Sequence, residues 1–369
     1  MTPEAITLTA AGRRYSGWNS IRVTRGIDRA VAHFDIEVTE RWALQDDPWP
    51  LVPFTPVTLH AWDDLLLTGY VDSYAPSFGA QAHEVRISGR SRTCDLVDCT
   101  PDIPGGQYQG YGYGAICVGV AGLFGIEVLN DATALAAAVV ADATIERGET
   151  AFAFLERLGR MAGVLLTDDE MGRLVLTTAG ATQASGRLAQ GTNILRASAT
   201  LVGSRRFSIY TLKGQHGLTA GTAQVQTAQQ ASATDSGVPR FRPRVALGET
   251  QMTQGQMQTR VDWMCRYAAG QATKAEITVA GWRQPDGTLW RPNLIVPVES
   301  TYLGVDQDLL VVQVSYSLSP SAGTTCELTV APVEGYTPDP GQVRIHKTRG
   351  RKGHGGGSGV NYSGAGGIS

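Results

Sequence analysis

The sequence lacks a strong charge of either sign. Its 31 lysines and arginines are nearly balanced by 34 aspartates and glutamates, which leaves a formal net charge of -3. No overall field attracts nucleic acid or an anionic membrane, so any binding to phosphate has to be local. Charged residues make up only 18% of the 369 residues, below the roughly 25% of typical soluble domains. The length allows about two to four domains, and the low charge indicates a surface that partners cover.

Long apolar runs and secretion signals are also missing. The Ala/Leu/Val stretch at 134–141 is far shorter than the roughly 20 residues that cross a bilayer. The first residues, Met-Thr-Pro-Glu-Ala, do not form a positively charged segment followed by an apolar block. We therefore expect folding in the cytoplasm and no membrane insertion.

Motifs that carry common enzymatic chemistry are absent. There is no Gly-x4-Gly-Lys-[Ser/Thr], no His-Glu-x-x-His and no Gly-x-Ser-x-Gly, so the sequence does not support a phosphate loop, a helical zinc site or a nucleophile elbow. The glycines at 110–114 lack the spacing of a dinucleotide fingerprint. Five cysteines without a Cys-x-x-Cys pair predict free, mostly buried thiols. No cofactor, metal or catalytic residue is expected.

Two clusters of reactive side chains have simple structural interpretations. Asp168, Asp169 and Glu170 could supply the acid and base of a glycosidase, but two apolar runs must reverse there, which favours a solvated turn. Cys94 and Cys99 flank an Asp-Leu-Val-Asp sequence. One helical turn with small buried side chains is favoured there over a redox pair.

Two segments are candidates for binding a partner. Tyr108, Tyr111 and Tyr113 lie in a glycine-rich segment and could stack on sugars or bases, although a loop packed on its own rings or on a neighbouring chain is favoured. The C-terminal segment has no acidic residue after Asp339, and its charge density fits nucleic acid or an acidic partner. Otherwise it is a soluble tether. Its basic residues are Arg344, Lys347, Arg349, Arg351 and Lys352.

Hydrophobic periodicity predicts a mainly β chain. Residues 1–97 contain short alternating runs punctuated by Gly, Pro and Asp, which indicate a small barrel or sandwich with a hairpin over 57–71. Alternating runs return within 238–333, where 309–318 is predicted to pair with 324–330.

The middle of the chain predicts an α+β insertion over 98–180. A short helix is expected at 115–124, and a second helix over 150–162 ends at Gly163. The apolar runs of 164–177 then form a hairpin.

The remaining segments are two connectors and a helix. Residues 181–237 are interpreted as connector strands followed by a polar loop from 215, because few large apolar residues occur there. Spacings of four, three and four between apolar residues predict a helix over 250–271. Residues 334–369 form a basic, Gly-rich tail.

Six segments in order along the chain carry a recognisable pattern. The most specific is Gly-Arg-Ser-Arg-Thr-Cys-Asp-Leu-Val-Asp at 89–98, whereas Leu-Thr-Gly-Tyr-Val-Asp at 67–72 recurs widely among tail proteins. The others lie at 20–28, 33–39, 148–158 and 281–290. Together they resemble the baseplate hub proteins of Mu-like contractile phage tails, over the chain to about Val333.

This resemblance implies two small β-barrel domains per subunit, which form a pseudo-sixfold trimeric ring with the α+β insertion on the outside. The first barrel would be 1–97, completed by strands near 190–215, and the second would be 238–333 with its helix. The same plan occurs in the hub part of type VI secretion spike proteins.

The resemblance also implies a structural role without enzyme activity. The protein would join the tail tube to the central spike and line a channel for the tape measure protein and DNA, in a virion baseplate assembled in the host cytoplasm. The implied partners are two further copies in a homotrimer, a central spike protein, a tail tube or distal tube protein, the tape measure protein, and DNA only in transit. In such a ring, Trp42, Trp49 and Trp62 could be interface anchors as readily as core.

Two other functions stay open at this stage. One is a tail-associated cell-wall hydrolase that uses carboxylates such as Glu149 or Asp169. The other is a glycan- or nucleic-acid-binding module that uses the loop of Tyr108 to Tyr113 or the basic tail.

Overall fold

The computed structural model describes residues 6–39, 51–79, 83–180, 182–214, 230–248 and 252–340. In these ranges the chain is mainly β with a few helices, as the sequence predicts. Trp42, Trp49, residues 215–229 of the predicted polar loop and all five basic residues of the tail lie outside the described residues.

The N-terminal strands alternate between buried apolar and more exposed polar residues. In β3, Ile21 and Val23 are buried while Arg22 is exposed, because one face of the sheet packs on the core. The predicted hairpin over 57–71 is confirmed by the antiparallel pairing of β5 with β6. The strands are β1 (Ile6–Ala10), β2 (Arg13–Tyr15), β3 (Ser20–Gly26), β4 (His33–Thr39), β5 (Pro56–Ala61), β6 (Asp64–Phe78) and β7 (His83–Ser91).

The insertion has its own apolar core around α2 and α4. The predicted helix ending at Gly163 is confirmed: the Thr150 hydroxyl caps its first turn by accepting from the Ala153 N–H, and Gly163 ends it at a φ of 78°. The predicted hairpin after it is also confirmed. The elements are α1 (Cys94–Asp98), β8 (Gln107–Tyr108), β9 (Tyr111–Gly112), α2 (Tyr113–Gly122), β10 (Val128–Asn130), α3 (Thr133–Ala136), β11 (Val139–Val140), β12 (Ala143–Thr144), α4 (Ala151–Ala162), β13 (Leu165–Asp168) and β14 (Leu174–Thr177).

The C-terminal part returns to β structure around one long helix. Its elements are β15 (Thr182–Gln183), β16 (Leu188–Ala189), β17 (Ile194–Leu201), β18 (Ile209–Lys213), β19 (Gln230–Thr234), β20 (Pro243–Leu247), α5 (Gln254–Gly270), β21 (Thr273–Ala280), β22 (Leu294–Ser300), β23 (Val305–Ser319) and β24 (Gly323–Ala331). The predicted pairing of 309–318 with 324–330 is confirmed. The end of the predicted polar loop forms β19, because the small Ala231 and Ala233 pack beside Tyr210.

One continuous sheet runs through both ends of the chain. Its strand order is β17-β21-β24-β23-β3-β4-β7-β6-β5-β1-β2. The antiparallel pairing of β23 with β3, in which Leu318 lies opposite Ile21, joins the C-terminal strands to the N-terminal ones. Phe34, Trp282 and Tyr316 share the same core.

This sheet differs from two separate barrels. Strand pairing among the described residues does not close either unit on itself. The strand near 190–215, β17, pairs with β21 and extends the C-terminal strands instead of completing residues 1–97. The reason lies in the strand order: β21, β24 and β23 lie between β17 and the N-terminal strands, so β17 does not reach residues 1–97 of its own chain.

Candidate functional site

The tyrosine segment does not form one exposed stacking surface. Tyr113 is fully buried and donates its hydroxyl to the Leu155 carbonyl at 3.0 Å. The Tyr108 ring stacks on Phe154 and meets the Tyr111 ring edge to face, with centroids 6.4 and 5.7 Å apart. Tyr111 is 54% exposed, so only this ring presents much of its surface to a partner.

The two carboxylates considered for hydrolysis are both held in ion pairs. Glu149 accepts from Arg157 through both oxygens, at 2.9 and 2.8 Å, and these hydrogen bonds hold its pKa below the ordinary value. Asp169 lies 2.6 Å from the Arg173 guanidinium and accepts from two backbone N–H groups of the turn. A general acid needs a raised pKa, so Glu149 is unsuited to that role.

Cys94 and Cys99 flank a single helical turn, α1, as the sequence predicts. Both thiols are free. Burial raises the pKa of the Cys94 thiol to about 12. Because the thiolate is the reactive form, this raised pKa disfavours reaction at Cys94.

The predicted solvated turn at 168–170 is wrong. Asp168 is buried, and the side chains of Asp169 and Glu170 are only 12% and 20% exposed. Asp168 and Glu170 contact Arg25 of β3, whose guanidinium is buried between the insertion and the main sheet. Arg25 lies 145 residues from Glu170 in sequence, so a local sequence pattern could not reveal this ion pair.

Arg25 makes the central contacts of this junction. Its Nη2 donates to the Asp168 carbonyl at 3.0 Å, and its Nη1 donates to Glu170 Oε2 at 3.1 Å. One sequence signal was available: in β3, Arg25 follows Ile21 and Val23 at spacings of two, which puts it on the core face of the strand. A buried arginine on that face requires a carboxylate partner.

Asp168 connects the insertion to the N-terminal strands through hydrogen bonds. Its Oδ2 accepts from the Ala32 N–H at 3.0 Å, and its carboxylate also hydrogen-bonds the Ser91 hydroxyl. Burial raises the pKa of Asp168, although Arg25 and these hydrogen bonds oppose the shift. The neighbouring Thr167 hydroxyl donates to the Gly26 carbonyl at 2.9 Å.

Glu170 connects the same junction to the C-terminal unit. Its Oε1 lies 2.8 Å from Arg291 Nη2, while its Oε2 accepts from Arg25. Burial disfavours ionisation of Glu170, but Arg25 and Arg291 hold its pKa below the ordinary value. Three parts of the chain therefore meet in one ionic cluster, in which Arg25 and Asp168 are buried and Arg291 is exposed. These parts are the N-terminal strands, the insertion and the segment before β22.

Away from the buried apolar residues Leu310, Val312 and Ala331, the face of the main sheet opposite the core is largely polar, and part of it is open among the described residues. We call it the polar face. Arg22 pairs with Glu327 at 4.0 Å and Arg86 with Glu37 at 3.6 Å, and His33 Nε2 lies 3.0 Å from Asp35 Oδ2. A concave region of about 610 Å³ lies on the polar face. One cross-strand row, from β23 to β6, consists of Ser317, Arg22, Asp35, Ser88 and Ser73.

The polar face ends at two strand edges. At one end, the Val202 N–H donates to the Ala272 carbonyl, so even-numbered residues of β17 point their backbone groups towards β21. Because this direction alternates along a strand, Ala197, Ala199 and Leu201 point their backbone groups away from β21. At the other end, β6 pairs with β7 as far as Phe78 but with β5 only up to Tyr70. No strand among the described residues lies on the outer side of β17 or of the second half of β6.

The described part of the chain contains no group of three or more His, Cys, Asp or Glu side chains arranged to hold a metal ion. Within the same ranges, no helix has both the length and the apolar character to span a membrane.

Three family models match successive parts of the chain. Residues 5–91 match the Mu phage baseplate assembly protein GpP-like N-terminal family. Residues 93–178 match the second domain of the gp44-like baseplate hub proteins. Residues 253–339 match the fourth domain of the Mu phage baseplate assembly protein GpP. These matches correspond to the N-terminal strands, the insertion, and the segment from α5 to the end of the described chain.

Individual proteins are similar over most of the chain. The baseplate hub protein gp44 of Escherichia phage Mu is 31% identical over 340 residues, which cover 90% of this chain and 88% of the phage protein. The crystal structure of a 43 kDa tail protein of prophage MuSo2 from Shewanella oneidensis superposes with a TM-score of 0.80 at 32% identity, covering 91% of this chain and 100% of that chain.

A more distant likeness concerns the fold alone. A component of the E. coli type VI secretion system, described as structurally similar to the bacteriophage T4 tail proteins gp27 and gp5, has a TM-score of 0.52 at 13% identity. The match covers 91% of this chain and 80% of that chain.

Proposed function

Since this chain belongs to the gp44-like baseplate hub proteins of Mu-like phage tails, we propose that three copies form a ring that joins the tail tube to the central spike and surrounds a passage for the tape measure protein and DNA. The chain is thus a structural component of a phage tail baseplate. The observation that carries the ring proposal is the continuous sheet with two outer edges.

The sheet has the form that a ring subunit needs. Eight strands, in the order β17-β21-β24-β23-β3-β4-β7-β6, lie between the outer side of β17 and the second half of β6, while β5, β1 and β2 continue the sheet from the first half of β6. We call this run of eight strands the arc. A strand edge without a neighbouring strand pairs readily with another strand. The two edges belong to different strands, and such head-to-tail contacts generate closed rings when the rotation between copies closes. In the proposed ring, β17 of one copy pairs with β6 of the next.

The arc also supports the pseudo-sixfold arrangement. Four of its strands, β6, β7, β4 and β3, come from the N-terminal part of the chain, and the other four come from the C-terminal part. The two runs meet at the β3–β23 pair. Three copies, each with two such sets of four strands, give six sets around the ring. Each barrel of the ring would then be completed by strands of the neighbouring set.

The polar face supplies the lining of the passage in this proposal. The core covers the other face, so closure of the arc leaves the polar face to line the inside. Its hydroxyl-rich rows, as in the 3.1 Å contact between Thr24 and Ser315, and its paired charges carry little net field. A lining without net positive charge does not retain the phosphate backbone of passing DNA.

The remaining partners rest on the family alone. The spike and the tail tube would meet opposite ends of the ring, and the basic tail from Arg344 to Lys352 is proposed as a contact to one of them. An enzymatic alternative gains no support, because Glu149 and Asp169 are held by arginines.

A proline at the β17 edge tests the ring closure. Ala199 directs its N–H outward, so Ala199→Pro removes a donor from the edge without removing a hydrogen bond to β21. The matched control, Ala199→Val, keeps the donor. In sedimentation velocity we expect trimers for the wild type and for Ala199→Val, and monomers with an unchanged circular dichroism spectrum for Ala199→Pro. Trimers of Ala199→Pro as stable as those of the wild type would refute closure through this edge.

A further inference from the structure

A small second sheet beside α5 has one covered and one uncovered face. In this sheet, β18 lies between β19 and β20. Tyr210, Leu212 and Ala231 on one face pack with Met257 and Val261 of α5. The residues that alternate with them lie on the opposite face. On β20 and just before it, that side presents the exposed apolar residues Phe241, Val245 and Leu247, which are 80%, 58% and 63% exposed.

The outer edge of β20 has backbone groups available for pairing. The Ser208 N–H donates to the Arg242 carbonyl, and the Gly248 N–H donates to the Lys213 carbonyl. The backbone N–H and C=O groups of the even-numbered residues of β20 therefore point towards β18. Those of Val245 and Leu247 point away from it, to the outer side. No strand among the described residues pairs with this side of β20.

Pro243 limits where a partner strand can pair. Pro243 lies two residues before Val245 and therefore points its backbone to the same outer side. The N–H that proline lacks is missing on that side, as is usual for proline in an edge strand. The edge therefore offers donors at Val245 and Leu247 only. A partner strand is therefore expected to pair in one short register and not along an extended edge.

The chain in β20 and just before it is strongly basic. Arg240, Arg242 and Arg244 occur within five residues, and no aspartate or glutamate lies between Asp235 and Glu249. Asp235 is already paired, through both oxygens, with Arg206 at 2.9 and 2.7 Å.

The positive charge lies on a fixed side of the strand. The guanidinium groups of Arg242 and Arg244 lie 5.3 and 5.5 Å from the Phe207 ring centroid. Phe207 packs on the α5 side of the sheet, as does Ala246. The edge thus combines positive charge on one face with exposed apolar side chains on the other.

We infer that the outer edge of β20 binds an extended segment of a partner protein in which acidic and apolar residues alternate. Added as a strand, such a segment places its carboxylates beside Arg242 and Arg244 and its apolar side chains beside Val245 and Leu247. The main-chain hydrogen bonds form at Val245 and Leu247. This surface is independent of the proposed ring closure, because β20 belongs to a different sheet from β17 and β6.

Peptide binding to the full chain tests this inference. The probe is a fluorescein-labelled nine-residue peptide of alternating Glu and Val, and the control peptide carries Lys in place of Glu. We expect fluorescence anisotropy to show saturable binding of the Glu peptide that weakens at high salt, and no binding of the Lys peptide. Val245→Pro removes one outward N–H and no hydrogen bond to β18, so it should lower the affinity at least tenfold. Val245→Thr keeps the donor and should bind nearly as the wild type.

A second variant separates charge from folding effects. Arg244→Gln leaves the edge backbone intact and should weaken the Glu peptide severalfold without changing the circular dichroism spectrum. Equal binding of the two peptides, no binding of the Glu peptide up to about 1 mM, or unchanged affinity in Val245→Pro would overturn the inference. Preferential binding of a short DNA duplex that survives Val245→Pro would also overturn it, and would assign the arginines to phosphate.

Discussion

Glu170 Oε2 lies 3.1 Å from Nη1 of Arg25, although 145 residues separate the two in sequence. The other oxygen of Glu170 pairs with Arg291, and Asp168, two residues earlier, binds the Ala32 N–H. One turn of the insertion thereby fixes its position against both halves of the main sheet. This contact keeps the insertion in a defined place relative to the main sheet.

Removal of the arginine from this cluster should be strongly destabilising. Arg25→Met leaves the buried Asp168 without its cation, and loss of one partner of a buried ion pair costs about 3–5 kcal/mol. We expect a decrease of that size in the free energy of unfolding, measured with guanidinium chloride. The matched control is Arg22→Met on the same strand, because its side chain is 56% exposed and its loss should change stability by less than about 1 kcal/mol. Similar effects of both variants would contradict the role given to Arg25.

Stability at acid pH should depend on Glu149. Its pKa is lowered in the folded chain, chiefly by the hydrogen bonds from Arg157. A lowered pKa contributes stability that is present above the unfolded-state pKa and lost as the pH falls through the folded-state value. Denaturation curves recorded from about pH 6 to pH 3 should therefore show a steeper loss of stability for the wild type than for Glu149→Gln. Parallel pH profiles would show that the Arg157 pair does not contribute.

Two glycine-to-alanine changes should have opposite signs. Gly163 ends α4 at a φ of 78°, where a side chain costs about 1–2 kcal/mol, so Gly163→Ala should lower the melting temperature. Gly255 lies in the first turn of α5 with no atom within 4 Å of an added Cβ. Gly255→Ala should therefore raise stability by about 0.5–1 kcal/mol. Thermal melts of the two variants check this, and a stabilising Gly163→Ala would contradict the cap geometry.

The purified protein should not cleave peptidoglycan. Glu149 and Asp169 are engaged by Arg157 and Arg173, which leaves neither carboxylate free for acid–base chemistry. A zymogram should show no clear zone for the wild type. A zone that disappears in Glu149→Gln or Asp169→Asn would establish the hydrolase that the sequence left open.

Local patterns in the sequence are enough for the two longer helices of the insertion and for the hairpins. The amphipathic spacing before Gly163 predicts α4, and the apolar runs around 168–174 predict the β13–β14 hairpin, because both depend on neighbours within a few residues. The short range of these interactions explains why the predictions were accurate there.

Local sequence patterns could not predict how the N-terminal strands, the insertion and the C-terminal strands contact one another. The β3–β23 pair brings together residues nearly 300 positions apart, such as Leu318 and Ile21. The cluster around Glu170 depends on three distant segments, so the local pattern alone favours a solvated turn there. Only the position of Arg25 on the core face of β3 hinted at a buried ion pair. Edge strands such as β17 and β20 likewise become visible only when the strand order is known.

The mass of the purified wild-type protein in solution tests the ring most directly. Light scattering across a range of concentrations should give a particle of about three times 39.2 kDa, because in the proposed ring the two outer edges pair between copies. A mass of 39.2 kDa at every concentration would contradict closure of the sheet into a trimeric ring.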